Sequence, residues 1–133
     1  MSALAEALVA AQAELPCAIG KDADGQIGQR NYRYLTLDKL IAETRPILQA
    51  HGLAIVQSPS LVERGDQGVV PTLATTLLHT SGEKVEFATP LYLTEKTMQG
   101  LGSAITYARR YAWQSVLGIA AEEDTDAKDD IPF

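Results

Sequence analysis

The sequence predicts an α+β fold: N-terminal helices, an antiparallel three-stranded meander, a long helix and a disordered acidic tail. Three observations carry this. Residues 53–62, 69–79 and 84–93 are rich in Val, Leu, Thr and Ile, the composition of half-buried strands. The segments between them, 63–68 and 79–83, are short and turn-like, which keeps successive strands antiparallel. Beyond them Met98, Leu101, Ile105, Ala108, Ala112 and Val116 recur at helical spacing, with Thr94 placed to cap the helix and Gly118 to end it. A meander followed by a helix buries one face of the sheet under that helix.

The earlier elements follow from the same rules. Residues 3–15 are Ala-rich, with Leu4, Leu8, Ala11 and Leu15 on one helical face, and Pro16 stops them. Gly20, Asp22, Asp24, Gly25 and Gly28 mark residues 18–29 as a loop. Residues 29–34 read as a short strand. Thr36 then caps a helix carrying Leu37, Leu40, Ile41, Thr44, Ile47 and Leu48, which ends at His51-Gly52. Pro46 lies inside that pattern and is expected to kink or divide the helix.

A chain of 133 residues suggests one domain, organised as an N-terminal helix and loop (1–29), a core (30–121) and an acidic tail (122–133). The net charge of −6 is unevenly spread. The first segment carries −3 and the last −5, while the core, with nine basic and seven acidic residues, carries +2. The bulk acidity therefore does not exclude an anionic partner for the core. The single cysteine, Cys17, excludes an intrachain disulfide. No signal-peptide pattern and no apolar run long enough for a membrane span occurs, so a cytoplasmic location is expected.

Catalytic chemistry finds little support. There is no P-loop and no Ser-His-Asp or Cys-His arrangement, and the chain is read as neither an enzyme nor a cofactor binder. Asp22-Ala23-Asp24-Gly25 matches part of a calcium loop, but the remaining ligand positions are missing. His51 and His79 lack Cys or His partners at metal spacing and read as structural. A metal-dependent nuclease using Glu122, Glu123, Asp124 and Asp126 is disfavoured, because a flexible acidic segment does not hold the geometry two-metal chemistry needs.

The informative segment is Gly102-Ser103-Ala104-Ile105-Thr106-Tyr107-Ala108-Arg109-Arg110-Tyr111-Ala112-Trp113, which interleaves arginines with aromatics on one helix. Guanidinium groups bind phosphates bidentately, and aromatic rings stack on bases. Thr106, Arg110 and Trp113 share a face, with Ser103, Tyr107 and Gln114 beside it. Spacing alone leaves three readings open: a core helix with two surface arginines, a subunit contact, and a single-strand binding face. Arg30, Arg33, Lys39 and Lys96 are further candidates for backbone contacts.

The run Gln99-Gly100-Leu101-Gly102-Ser103-Ala104-Ile105-Thr106-Tyr107-Ala108-Arg109-Arg110-Tyr111, then Leu117-Gly118-Ile119 and Glu123-Asp124-Thr125-Asp126, closely resembles the ERF (essential recombination function) family of phage single-strand annealing proteins. Tyr32-Arg33-Tyr34-Leu35, Arg45-Pro46-Ile47-Leu48, His51-Gly52-Leu53, Gln57 and Thr76-Leu77-Leu78-His79-Thr80-Ser81-Gly82-Glu83 resemble it too, in order, so that the likeness covers residues 30–126. The resemblance implies single-stranded DNA binding, annealing of complementary strands without ATP in homologous recombination, and assembly into rings or related homo-oligomers. It also implies a β-β-β-α annealing core, and marks Gln99, Ser103, Thr106, Tyr107, Arg109, Arg110 and Tyr111 as family-like helix residues that contact either DNA or a neighbouring subunit; with Arg33 and Lys96 they are the candidate DNA-binding residues.

Asp129-Asp130-Ile131-Pro132-Phe133 resembles the tail tip of the bacterial single-stranded-DNA-binding protein, which docks on genome-maintenance partners. A solubilising tail would explain the acids but not the apolar end. The alternative to an annealing protein is a recombination accessory whose body binds no DNA and whose tip recruits host repair proteins.

Overall fold

The computed structural model describes residues 2–122, the side chain of Ile27 apart. The chain order is α1 (Ala3–Glu14), β1 (Ala18–Ile19), β2 (Ala23–Ile27), β3 (Arg30–Tyr34), α2 (Leu37–Ala50), β4 (Leu53–Glu63), a 3-10 turn (Gly65–Gln67), β5 (Val69–His79), β6 (Lys84–Pro90), α3 (Met98–Leu117) and β7 (Ala120–Ala121). The tip residues Asp129, Asp130, Ile131, Pro132 and Phe133 lie outside the described residues.

The predicted meander is present. β4, β5 and β6 form one antiparallel sheet with β5 in the centre. Alternation along β5 turns Leu73, Thr75 and Leu77 to the helical side, where all three are buried. The last strand is shorter than expected, ending at Pro90 rather than 93. Leu91 still donates its amide to Pro71 O at 2.9 Å and buries its side chain, but the chain then leaves the sheet. That departure moves the start of the long helix. Thr97, not Thr94, caps it, accepting from Gly100 N, and Gly118 closes it in the left-handed conformation.

α3 bridges two apolar clusters. Its C-terminal half sends Trp113 and Leu117 into a core with Leu40 and Leu48 of α2, Leu53 and Leu77 of the sheet, and Leu4 and Ala11 of α1. On another side of the helix Ala108 and Ala112 pack against Leu73 and Leu91, joined by Leu101, Ala104 and Ile105 from its N-terminal half. The expected apolar stripe is offset at its ends: Met98 is 82% exposed, while Trp113, outside that stripe, is 2% exposed. The reason is the buried Trp113 Nε1–H, which donates to Thr44 Oγ1 at 2.9 Å, and Thr44 in turn donates to Leu40 O at 2.8 Å. An indole with its N–H satisfied is buried at little polar cost.

Two expectations about the N-terminal region need correction. Residues 18–29 are not a loop. β2 and β3 form a hairpin whose register runs from Ala23↔Tyr34 to Ile27↔Arg30, closed by the two-residue turn Gly28-Gln29 with Gly28 at φ +62°. β1 pairs in parallel with β7, matching Ala18 with Ala120 and Ile19 with Ala121. Of the two outcomes expected at Pro46, a kink or a division, division does not occur: α2 runs unbroken from Leu37 to Ala50. Pro46 and Ala42 are both exposed, so the carbonyl that proline leaves without a donor lies on the solvent-facing side of the helix. Thr36 caps α2 as expected, accepting from Lys39 N. His51 pairs with Glu14 across α1 and α2, and His79 Nδ1 accepts from Ser81 N at 3.1 Å in its turn.

Leu40 is fully buried where α2 meets the core. Leu40→Ala is expected to lower the unfolding free energy by about 2–5 kcal/mol in urea titrations. Val9→Ala, at a position 71% exposed, is expected to change it by less than about 0.5 kcal/mol.

Candidate nucleic-acid interface

The hairpin and α3 meet through aromatic side chains. Alternation along β3 sends Tyr32 and Tyr34 to one face and Arg33 to the other. Tyr32 can lie flat over its cross-strand neighbour because that neighbour is Gly25: a Cβ there would come within 2.4 Å of the Tyr32 ring. The Tyr32 and Tyr34 rings sit 5.8 Å apart. On α3, Tyr107 and Tyr111 are one turn apart and nearly parallel, at 6.4 Å and 13°. The Tyr32 and Tyr107 hydroxyls hydrogen-bond at 3.3 Å and join the two pairs.

Arg110 lies among these rings. Its guanidinium carbon is 5.1 Å from the centroid of Tyr34, 4.7 Å from Tyr107 and 5.3 Å from Tyr111, and the residue is 6% exposed. Cation–π contacts of this kind contribute about 0.5–2 kcal/mol each, more as water is excluded. Among the described residues no carboxylate forms an ion pair with Arg110. No fully buried side-chain nitrogen among them lacks a hydrogen bond. The guanidinium N–H groups therefore reach the surface, in a cleft of about 340 Å³ lined by Tyr32, Tyr34, Gly102, Ser103, Thr106, Tyr107 and Arg110. The result is a cation fixed by aromatic faces, with donors free for an anion.

The other sequence candidates lie partly beside this cluster and partly away from it. Gln99, Ser103, Thr106, Tyr107 and Arg110 follow one helical stripe, and Ser103 and Thr106 are exposed beside the guanidinium. Tyr111 completes the ring cluster. Arg109 points elsewhere: its Nε donates to Gln57 Oε1 at 3.4 Å, and Gln57 Nε2 donates back to Arg109 O at 3.0 Å. Arg33 is turned from the cluster by the strand's alternation and pairs with Asp24 at 3.3 Å. Lys96 is exposed in the segment before α3, and Lys39 donates to Gly20 O at 2.8 Å. Tyr32 and Tyr34 were not among the candidate site residues. Their signal was Tyr-x-Tyr on a strand, which puts two rings on one face.

With this geometry in place, comparison with known proteins defines the family. The ERF superfamily model matches residues 4–132, and the chain belongs to that superfamily. Membership ties it to DNA recombination and strand annealing in general. No curated protein and no solved structure matches the chain. No helix among the described residues is long and apolar enough to cross a membrane.

The hydrogen bond to Tyr107, followed by burial, pushes the Tyr32 hydroxyl from its ordinary 10.0 up to about 12. A raised value favours the neutral phenol in the folded state. The corresponding stability is complete below pH 10 and is lost as the pH rises toward 12. Phenolate absorbance of the five tyrosines is expected to include one late titration near pH 12, which Tyr107→Phe moves back toward 10. Absence of that late titration would mean that the hydroxyl pair does not persist in solution.

Proposed function

We propose that the protein binds single-stranded DNA at the Arg110 cleft and anneals complementary strands without nucleotide hydrolysis. The observation that carries this reading is Arg110 itself, a guanidinium without a carboxylate partner among the described residues, caged by three tyrosine rings and open to a groove. A phosphate accepts the fork of donors that the cage leaves free, while neighbouring bases meet tyrosine rather than charge. Such contacts tolerate any sequence, which annealing requires. Ser103, Thr106 and Gln99 extend the polar stripe along α3, and exposed Lys96 adds positive charge near its start.

Each copy supplies few phosphate contacts, so assembly into a homo-oligomer multiplies them through effective concentration. β4 and β6 are the two edges of the described sheet and offer backbone for pairing between copies. The strand is held with most base edges outward to test a complement. Duplex formation then drives the reaction, with no bond made or broken by the protein. In the same reading, the tip Asp129–Phe133 engages genome-maintenance proteins.

Annealing of two labelled complementary oligonucleotides, without ATP and across a salt series, tests the proposal. The protein is expected to accelerate pairing, and the acceleration to fade as salt rises. Arg110→Gln is expected to weaken binding of single strands and flatten its salt slope by about 0.7 for each phosphate that is no longer neutralised. Arg110→Lys restores little, because ammonium lacks the planar fork and stacks poorly. Arg33→Gln, at a residue already paired with Asp24, is expected to change binding little. No acceleration by a folded protein, or full activity of Arg110→Gln, would overturn the assignment.

A further inference from the structure

Tyr107 has a second side. There, between α3 and the segment after β6, lies an apolar groove of about 310 Å³, at the small end of the roughly 300–1,000 Å³ typical of small-molecule sites. The fold builds its walls from two constraints. Leu91 is anchored in the core, which turns the next residue outward, and Tyr92 stands 70% exposed at the groove. The segment carrying Tyr92 lies tight on the helix because residue 100 is glycine: a Cβ there would come within 2.1 Å of Glu95 O. Tyr92, Tyr107 and Tyr111 line the groove with aromatic surface, and Ala104 and Ala108 keep the helix side shallow. Tyr107 and Ser103 line both this groove and the Arg110 cleft, so the two are neighbours across one ring.

We propose that this groove receives one nucleobase of the bound single strand, taken out of the stack, while an adjoining phosphate sits at Arg110. The inference rests on the single-strand reading above and adds to it a second subsite of different chemistry. The pairing of subsites matches the pairing within a nucleotide: an apolar, aromatic slot for a flat heterocycle beside a cation that has no carboxylate partner among the described residues. An apolar peptide side chain would fill the slot but leave the guanidinium without a counter-charge. The polar side chains of the lining residues all end in hydroxyls, including those of Ser103 and Thr94, which donate or accept as required. The slot therefore accepts any base. Each copy holds one base from pairing while the others remain available.

The test compares a short oligo-dT with a fully abasic oligomer of the same length. Two variants alter the groove without touching Arg110: Tyr92→Ala removes an exposed wall, and Ala104→Leu fills the slot. Both are expected to weaken oligo-dT binding at least about fivefold, the lower end of what one base stacked on an aromatic contributes. Both should leave the weaker, salt-dependent binding of the abasic oligomer unchanged, whereas Arg110→Gln weakens both ligands. If both variants bind oligo-dT like the parent protein, the base subsite is overturned and the single-strand reading stands. Equal weakening of both ligands by Tyr92→Ala also overturns it, because the residue then acts on backbone binding. If the parent protein binds neither oligomer, both readings fall together.

Discussion

Trp113 sets the rotation of α3, and the rest of the molecule is arranged around that rotation. Its indole is closed in by α2 and the sheet, and its N–H is committed to Thr44. Turning the helix would expose a large apolar ring and leave a buried donor without an acceptor. With Trp113, Leu117 and Ala112 inward, the flank bearing Tyr107 and Arg110 faces the β2–β3 hairpin, and Arg109 faces Gln57 on β4. Adjacent arginines thus enter different surroundings because one tryptophan fixes the phase of the helix.

The treatment of Arg110 differs from that of most buried cations. A carboxylate partner would satisfy the charge and also consume it, as Asp24 does for Arg33. Tyrosine faces instead stabilise the guanidinium through their quadrupoles and hold its plane, while its hydrogen-bond donors stay available. Desolvation by the rings raises the strength of whatever anion completes the site, since water competes less there. Orientation is supplied before the ligand arrives, so less entropy is lost when it does.

Much of the architecture was legible because it follows local rules. The three long strands, the capping by Thr36 and the stop at Gly118 were all set by periodicity and end chemistry. The hairpin was missed because Gly25 and Gly28 read as loop punctuation, whereas one serves a two-residue turn and the other makes room for the Tyr32 ring. The cap moved from Thr94 to Thr97 because Leu91 reaches back to Pro71, a long-range contact that no local pattern encodes. Within the site, the helix motif located Tyr107, Arg110 and Tyr111, but not Tyr34, which completes the cage, nor Tyr32, which bonds to Tyr107. The likeness of Arg109 to Arg110 in sequence also concealed their separation in space. Both failures have one cause: helical spacing describes neighbours on an element and is silent about what faces them.

The hairpin has a further role through its own weakness. A two-stranded ribbon is marginal by itself in water. This one is held to the body by the Tyr32–Tyr107 hydroxyl pair, by Tyr34 against Arg110, and by Asp22, which accepts from both the amide and the hydroxyl of Thr36. Two of those three attachments are walls of the cleft. Occupancy of the cleft and attachment of the hairpin are therefore thermodynamically linked: whatever bridges the tyrosines and the guanidinium also suppresses local opening of the ribbon, and whatever loosens the ribbon weakens its own ligand. The β2–β3 ribbon behaves as a clasp whose closure is measured by what it holds.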